Sequence, residues 1–361
     1  MISLYVEDNR MKLSDFDYNL PDELIAQYPS QSREESRLII FGRGHGGIKE
    51  TRFSNIARYL RVGDLLVIND SEVIPARIYG RKPTGARIEI FLIRQTGRGI
   101  WTALVKPSKR IREGDRILVG KDSDSVVIVR EVGRGEWEIR LSVETSEWEF
   151  IEKYGLMPLP PYIKRESEEI DRRRYQTVYA SNKGSVAAPT AGLHFTDELL
   201  QKIKWKGCSV LPLTLHVGPG TFRPLRNEIV EKNELSYEYI KIRKKVWNEI
   251  KQAKKDKRRV IAVGTTTTRV LESLAAGVIE DRAEDEKDGE VWITGGTKLF
   301  ISPGFKFRIT DALITNLHLP RSSLFVLVSA FAGRENMLYA YDWAAKRGIR
   351  FYSYGDVMFI Q

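Results

Sequence analysis

Two rhythms of apolar residues divide this chain. From Ala76 to about Ser142, short β-branched or aromatic runs recur at Ala76–Tyr79, Arg87–Ile93, Ile100–Val105, Arg116–Val119, Val126–Val132 and Trp137–Leu141, separated by Gly, Lys and Asp turns. Short strands at regular spacing with no helical period predict a small antiparallel barrel. Outside that stretch, strand and helix patterns alternate. Residues 37–41 and 64–68 read as apolar strands, with a helix-like stretch near Phe53–Leu60 between them. A helix is expected over Ser146–Tyr154, followed by a rigid Pro-rich linker around 156–161. Thr196 caps a helix that has Asp197 and Glu198 in its first turn and Gly207 at its end. Strands follow at 209–216 and 260–263, helices at Ser323–Phe331 and Asn336–Lys346, and a last strand at Val357–Ile360. Ile242, Val246 and Ile250 at helical spacing predict an amphipathic helix within 241–259, and the acidic 280–290 stretch reads as a surface loop. The expected fold is α/β with two domains. A discontinuous mixed α/β, barrel-like main domain takes 1–70 and 155–361, and a small antiparallel β-barrel of 71–154 is inserted into it.

Length and composition fit this picture. The chain has 361 residues, 42% hydrophobic and 29% charged, enough for a large core. No apolar run approaches a membrane span, and the first ten residues read as a loose extension rather than a secretory signal. The single cysteine, Cys208, reads as a small core residue; with no internal disulfide possible, a cytoplasmic, reducing location is expected. The formal charge is +10, and residues 241–259 hold ten Lys or Arg against Glu249 and Asp256. That run fits either a solvated helix face or a footprint for a polyanion.

Histidine is scarce, with four in the chain. Three of them sit where the backbone must bend: His194 in Pro-Thr-Ala-Gly-Leu-His-Phe-Thr (189–196), His216 in His-Val-Gly-Pro-Gly-Thr-Phe (216–222) and His318 in Thr-Asn-Leu-His-Leu-Pro (315–320). Imidazole moves protons near neutral pH, and loops on a rigid scaffold commonly carry chemistry. Val-Gly-Thr-Thr-Thr-Thr-Arg (263–269) is a strand–turn–helix whose free amides suit a phosphate or a carboxylate. It lacks the Lys of a phosphate-binding loop and the spacing of a dinucleotide fingerprint. Each run taken alone fits a tight turn or a capped helix as well as a ligand site; their coincidence points to one shared cleft. Asp311 and Asp356 stand among apolar neighbours, either as acid–base groups or as buried carboxylates bonded to backbone amides.

Taken together, these runs resemble the S-adenosylmethionine:tRNA ribosyltransferase-isomerases of queuosine biosynthesis. The resemblance is carried also by residues 12–29, by Gly-Asp-Leu-Leu-Val-Ile-Asn-Asp-Ser-Glu-Val-Ile-Pro-Ala-Arg (63–77), by Tyr-Gln-Thr-Val-Tyr-Ala (175–180), by 311–322 and by 350–360, and it spans nearly everything after Met11. One departure is clear. Where the family usually has His-x-Met-His-x-Glu, this chain has Asn233-Glu-Leu-Ser236-Tyr-Glu238, retaining only the glutamate.

The resemblance implies transfer and isomerisation of the ribosyl part of S-adenosylmethionine onto 7-aminomethyl-7-deazaguanine at the tRNA wobble position. The products would be epoxyqueuosine-tRNA, adenine and methionine. S-adenosylmethionine is then a consumed co-substrate, with no cofactor or metal expected. On that reading the catalytic candidates are His194, His216, Asp311 and Asp356. Substrate binding would fall to Thr190, Gly192, Gly218, Gly220, Thr221, Glu238, Asn316 and His318, and to Thr265, Thr266, Thr267, Thr268 and Arg269, with the threonine turn facing the methionine carboxylate. Lys244, Lys245, Arg258, Arg321 and Arg334 are candidates for the phosphates of the anticodon stem-loop, and the protein is expected to be a monomer without membrane contact. If His194 is the acid or base, its replacement by Asn should slow turnover by roughly two to four orders of magnitude. Two rivals are a metal-dependent hydrolase using the three loop histidines and a non-catalytic RNA-binding protein.

Overall fold

The computed structural model describes residues 11–44, 46–120, 124–133, 135–143, 146–222 and 224–361, without the side chains of Thr221 and Phe222. The first ten residues, read above as an extension, lie outside this set. In chain order the strands are β1 Arg37–Phe41, β2 Ile48–Arg52, β3 Leu65–Asn69 and β4 Ser71–Val73, then β5 Arg77–Arg81, β6 Arg87–Gly97, β7 Ile100–Lys106, β8 Arg116–Leu118, β9 Ser125–Gly133 and β10 Glu136–Ser142. After α1 Glu147–Tyr154 and α2 Glu169–Arg174 come β11 Asn182–Ser185, α3 Asp197–Trp205, β12 Ser209–Leu215, β13 Glu238–Arg243, α4 Lys244–Lys255, β14 Val260–Val263 and α5 Thr265–Ala276. The chain ends with β15 Glu280–Lys287, β16 Glu290–Thr297, β17 Ala312–Asn316, α6 Ser323–Ala332, α7 Arg334–Lys346 and β18 Val357–Ile360.

The six strands β5–β10 close into an antiparallel barrel, as their alternating pattern predicts. Its interior is packed with Ile78, Ile90, Trp101, Val126 and Ile139, and α1 lays Phe150 and Ile151 against it. The other strands form a ten-stranded sheet in the order β15-β16-β13-β12-β3-β14-β17-β18-β1-β2, with a short β4–β11 ladder beside it. Its central strands are apolar on both sides and are covered on both faces. One face carries α4, α5, α6 and α7 over Leu211, Leu213, Ile240, Ile242 and Val260. The other carries α3 and the 3-10 segment Phe53–Tyr59 over Leu66, Ile68, Ile261 and Ile314. Thr196 caps α3 as expected, its hydroxyl accepting from the Leu199 amide at 3.1 Å.

Two expectations fail for local reasons. Residues 280–290 form the β15–β16 hairpin rather than a loop; β15 is exposed along its whole length, so no apolar alternation marks it. The basic run 241–259 is not one helix. Ile242 lies in β13, where it shares the core face with Ile240, and only Lys244–Lys255 is helical.

A buried carboxylate secures the lead-in to β17. Glu272, on α5 and fully buried, accepts the backbone amides of Arg308, Ile309 and Thr310 at 2.7, 3.1 and 2.8 Å. Glu272→Ala leaves those three donors unsatisfied in the interior. We expect it to lower unfolding free energy by about 3 kcal/mol or more in urea titration; a midpoint equal to the parent's would contradict this.

Candidate active site

The site follows from strand direction. β12, β3, β14 and β17 are neighbours running in parallel, and the adjoining β18 and β1 run the opposite way. The segments leaving the four strands and those entering the other two therefore meet at one edge, where open α/β sheets bind ligands. Asp70, Val217, Gly264, Thr265, Asn316 and His318 come from the first group, Ser36 and Asp356 from the second. A cleft opens there. Its walls include Thr190 and Ala191, Thr265 and Thr266, Thr315, Asn316 and His318, with Tyr162 and Tyr352 on the aromatic side.

Gly264 makes the turn from β14 into α5 at φ +92°, a conformation that disfavours any side chain. The N-cap residue, Gly264, has no side chain to cap α5, and the first intrahelical bond is from Thr268 N–H to Gly264 C=O at 3.2 Å. The amides ahead of it have no intrahelical acceptor, and the helix dipole places partial positive charge at this end. Of the four threonines, Thr265 and Thr266 line the cleft. The hydroxyls of Thr267 and Thr268 turn back to Val263 C=O and Gly264 C=O at 2.7 and 3.2 Å and serve the helix.

The imidazoles are not equivalent. His318 lines the cleft, with Nε2 2.8 Å from the Thr315 hydroxyl, and burial lowers its pKa to about 3. His194 stands behind the wall. Its Nδ1 is 2.9 Å from the Ser36 hydroxyl and its Nε2 is 3.1 Å from Asn316 Nδ2. Asn316 Nδ2 also donates to Tyr352 C=O at 3.0 Å and Asp356 C=O at 3.4 Å. Those carbonyls fix the amide orientation, so His194 Nε2 must accept and Nδ1 must donate to Ser36. Burial, with the charges of Arg350, Arg33 and Arg174, brings the His194 pKa down to about 3. The amide oxygen of Asn316 is buried with no hydrogen-bond partner among the described residues. His194 is therefore a neutral hydrogen-bond acceptor for Asn316. His216 is half-buried and stacks on Tyr239 with ring centroids 5.6 Å apart; burial and Lys241 lower its pKa to about 4.

Other candidates lie elsewhere or face away. Asp311 precedes β17, at the opposite edge of the sheet, where it pairs with Lys254 and accepts the Val260 amide at 2.9 Å. Asp356 is at the correct edge, but its carboxylate accepts the amides of Arg37 and Arg350 at 2.9 and 2.8 Å. Gly192 is a packing position, because a Cβ there would stand 2.1 Å from the Tyr179 hydroxyl. The Gly218 amide donates to Glu238, which forms a buried ion pair with Arg269. Gly220 packs against Ser236, and the Thr221 side chain lies outside the described set. Asn233, at the first of the two positions where the family has histidine, clasps its own loop: its Oδ1 accepts the Arg226 and Asn227 amides at 3.1 and 3.0 Å.

Two groups in this region escaped the sequence reading. Tyr162 and Tyr352 form an edge-on pair 3.7 Å between centroids. Asp70 follows β3 and accepts from Thr214, Ser181 and Asn182 at 2.6, 3.2 and 3.0 Å, while burial raises its pKa. The polar Asn-Asp pair ending an otherwise apolar strand was the available signal.

The comparisons agree with this architecture. The model of the queuosine biosynthesis protein family matches residues 13–360. The chain belongs to that family. A Halothermothrix orenii protein named S-adenosylmethionine:tRNA ribosyltransferase-isomerase is 49% identical over 352 residues, covering 97% of this chain and all of the relative. An Aquifex aeolicus protein of the same name is 47% identical over 350 residues, with the same coverage. The crystal structure of the S-adenosylmethionine tRNA ribosyltransferase of Thermotoga maritima superposes with TM-score 0.53 and 35% identity, covering 96% of this chain and 100% of that one.

Two outcomes test the imidazole assignment. Both buried rings have folded pKa values near 3, below the ordinary 6.5. The unfolded chain thus binds protons that the fold does not, and this contribution to stability is complete above 6.5 and is lost as pH falls toward 3. Imidazole ¹⁵N spectra should keep His194 and His318 neutral down to about pH 5; a titration midpoint near 6.5 for either would contradict their burial. His194→Asn should lower kcat by about 10²-fold through misplacement of Asn316, with the shape of the kcat–pH profile unchanged. Loss of one limb of that profile would instead make His194 a proton carrier.

Proposed function

We propose that this chain is a tRNA-modifying enzyme that transfers and isomerises the ribosyl moiety of S-adenosylmethionine onto 7-aminomethyl-7-deazaguanine at the wobble position, releasing adenine and methionine. The observation that carries the reading is the strand-edge cleft, with an uncapped helix N-terminus at one side and an aromatic pair at another, in a chain of this family.

The cleft suits each part of the co-substrate. The amides of Thr265 and Thr266 meet the methionine carboxylate, and Tyr162 and Tyr352 offer faces and edges to adenine. Among the described residues lining the cleft none is acidic, so no full negative charge there stabilises the sulfonium ground state. The sulfonium keeps its power to acidify the neighbouring ribose carbon. His318, neutral and at the wall, accepts or relays a proton within that space. The incoming amine must lose its ammonium proton before it attacks the ribosyl group, and adenine must gain one as it leaves. Asp70, with its pKa raised by burial, suits the first task.

The rivals find less support. Among the described residues no group of three His, Cys, Asp or Glu side chains is placed to hold a metal ion. His194, His216 and His318 each engage different neighbours. A purely RNA-binding protein has no use for a cleft lined by a helix N-terminus and a buried imidazole. No helix among the described residues is long and apolar enough to cross a membrane.

Mixed with S-adenosylmethionine and tRNA bearing 7-aminomethyl-7-deazaguanine, the purified protein should release adenine and methionine in equal amounts. Both should match the modified nucleotide formed. Absence of adenine release under single-turnover conditions would overturn the reading.

A further inference from the structure

Residues 241–259 fit either a solvated helix face or a polyanion footprint, and the structure divides their charges between two faces of the sheet. α4 lays Val246, Trp247, Ile250 and Ala253 onto the core, and its first-turn cations are already matched. Lys244 pairs with Glu284 at 2.7 Å and Lys245 with Glu290, both from the β15–β16 hairpin. Arg258 donates to Gly63 C=O at 2.7 Å. Arg321 and Arg334 are likewise engaged, with Glu228 at 3.3 Å and Glu335 at 2.6 Å. The acidic hairpin and the basic helix neutralise each other.

β13 presents a different surface. Its residues alternate, with Ile240 and Ile242 in the core, while Tyr239, Lys241 and Arg243 share the opposite face and are half-buried. Trp292 on β16 is paired with Arg243 across the ladder. Lys241 Nζ lies 3.9 Å and the Arg243 guanidinium carbon 5.0 Å from the centre of its ring. Neither cation forms an ion pair among the described residues, and Arg243 Nε is buried without a hydrogen-bond partner among them. Lys241, Arg243 and Trp292 of this face line a second cleft, of about 260 Å³, together with Asp70 and Asn182. Asp285, opposite Trp292 on the outer strand, borders the strip on the hairpin side.

Unpaired cations interleaved with aromatic rings along a groove are what a single-stranded nucleic acid requires: phosphates take the cations and bases stack on the rings. We infer that the Tyr239–Lys241–Arg243–Trp292 face is the surface that holds the unstacked nucleotides of the RNA substrate. Their phosphates lie on Lys241 and Arg243, a base stacks at Trp292, and the aminomethyl-bearing base extends toward Asp70. This rests on the functional reading above and replaces the helix as the RNA contact. A ligand carrying an amine at one end and a phosphate at the other matches a cleft that is acidic at one end and basic at the other.

The test compares full-length variants for binding a synthetic anticodon stem-loop RNA across a salt series, with S-adenosylhomocysteine binding as a check on the fold. Lys241→Ala with Arg243→Ala should weaken RNA binding by about 10-fold or more and reduce the slope of log Kd against log salt by about 1.5, as expected for two lost phosphate contacts. Trp292→Ala should weaken binding with little change in that slope. Lys241→Arg with Arg243→Lys should bind like the parent, which separates lost charge from lost structure. Lys244→Ala with Lys245→Ala should change affinity by less than about 2-fold, since those charges are already paired. Parental RNA affinity in the Lys241/Arg243 double variant, or a loss confined to the Lys244/Lys245 variant, would overturn the inference while leaving the functional reading intact. No RNA binding by the parent protein would overturn both.

Discussion

The shared direction of four neighbouring strands is the constraint on which the rest depends. Because β12, β3, β14 and β17 all end at one edge, and β18 and β1 begin there, six segments distant in sequence must meet above it. Backbone groups leaving a sheet need partners. Here the side-chain amide of Asn316 donates to the carbonyls of Tyr352 and Asp356, and it is joined through His194 to the Ser36 hydroxyl. The same polar network that closes the sheet edge shapes the cleft, so the stability of that edge and the placement of its polar groups have one origin. Glu272 guards the other end of the same unit by holding the approach to β17.

Much of this was legible in the sequence, because the physics that shapes the elements also leaves periodic marks. The barrel strands alternate between core and solvent, and all six were visible. The acidic hairpin was not. β15 is exposed throughout and Ala283 is its one apolar residue, so it leaves no alternating mark; it is bonded in the ladder to β16 and charge-paired with α4. The strand–helix junction at Arg243 misled for a different reason. Ile242, Val246 and Ile250 satisfy a helical period by coincidence, while Ile240 and Ile242 satisfy a strand period in fact. The histidine-bearing bends were recognisable as a converging set, but which ring would face the cleft depended on strand register. A side chain at the wall and one behind it look alike in sequence, as His318 and His194 show.

The electrostatics of the edge favour neutral hydrogen bonding over fixed charge. Burial keeps the rings of His194 and His318 unprotonated, and the described cleft lining carries no acid. Charge enters from the sides: partial positive charge at the start of α5, a carboxylate at Asp70 and the cations of β13. On the proposed function the substrate is itself a cation at sulfur, and such a setting would anchor the distant carboxylate and the RNA while leaving the reactive centre unstabilised. Binding energy remote from the reacting atoms can then be used at the ribose.

The most direct measurement is the position of bound S-adenosylhomocysteine in a crystal of this protein. The account predicts its carboxylate at the amides of Thr265 and Thr266 and its adenine beside Tyr162 and Tyr352. Clear density for the ligand on the six-stranded barrel, or at the edge of the sheet that carries Asp311, would contradict it.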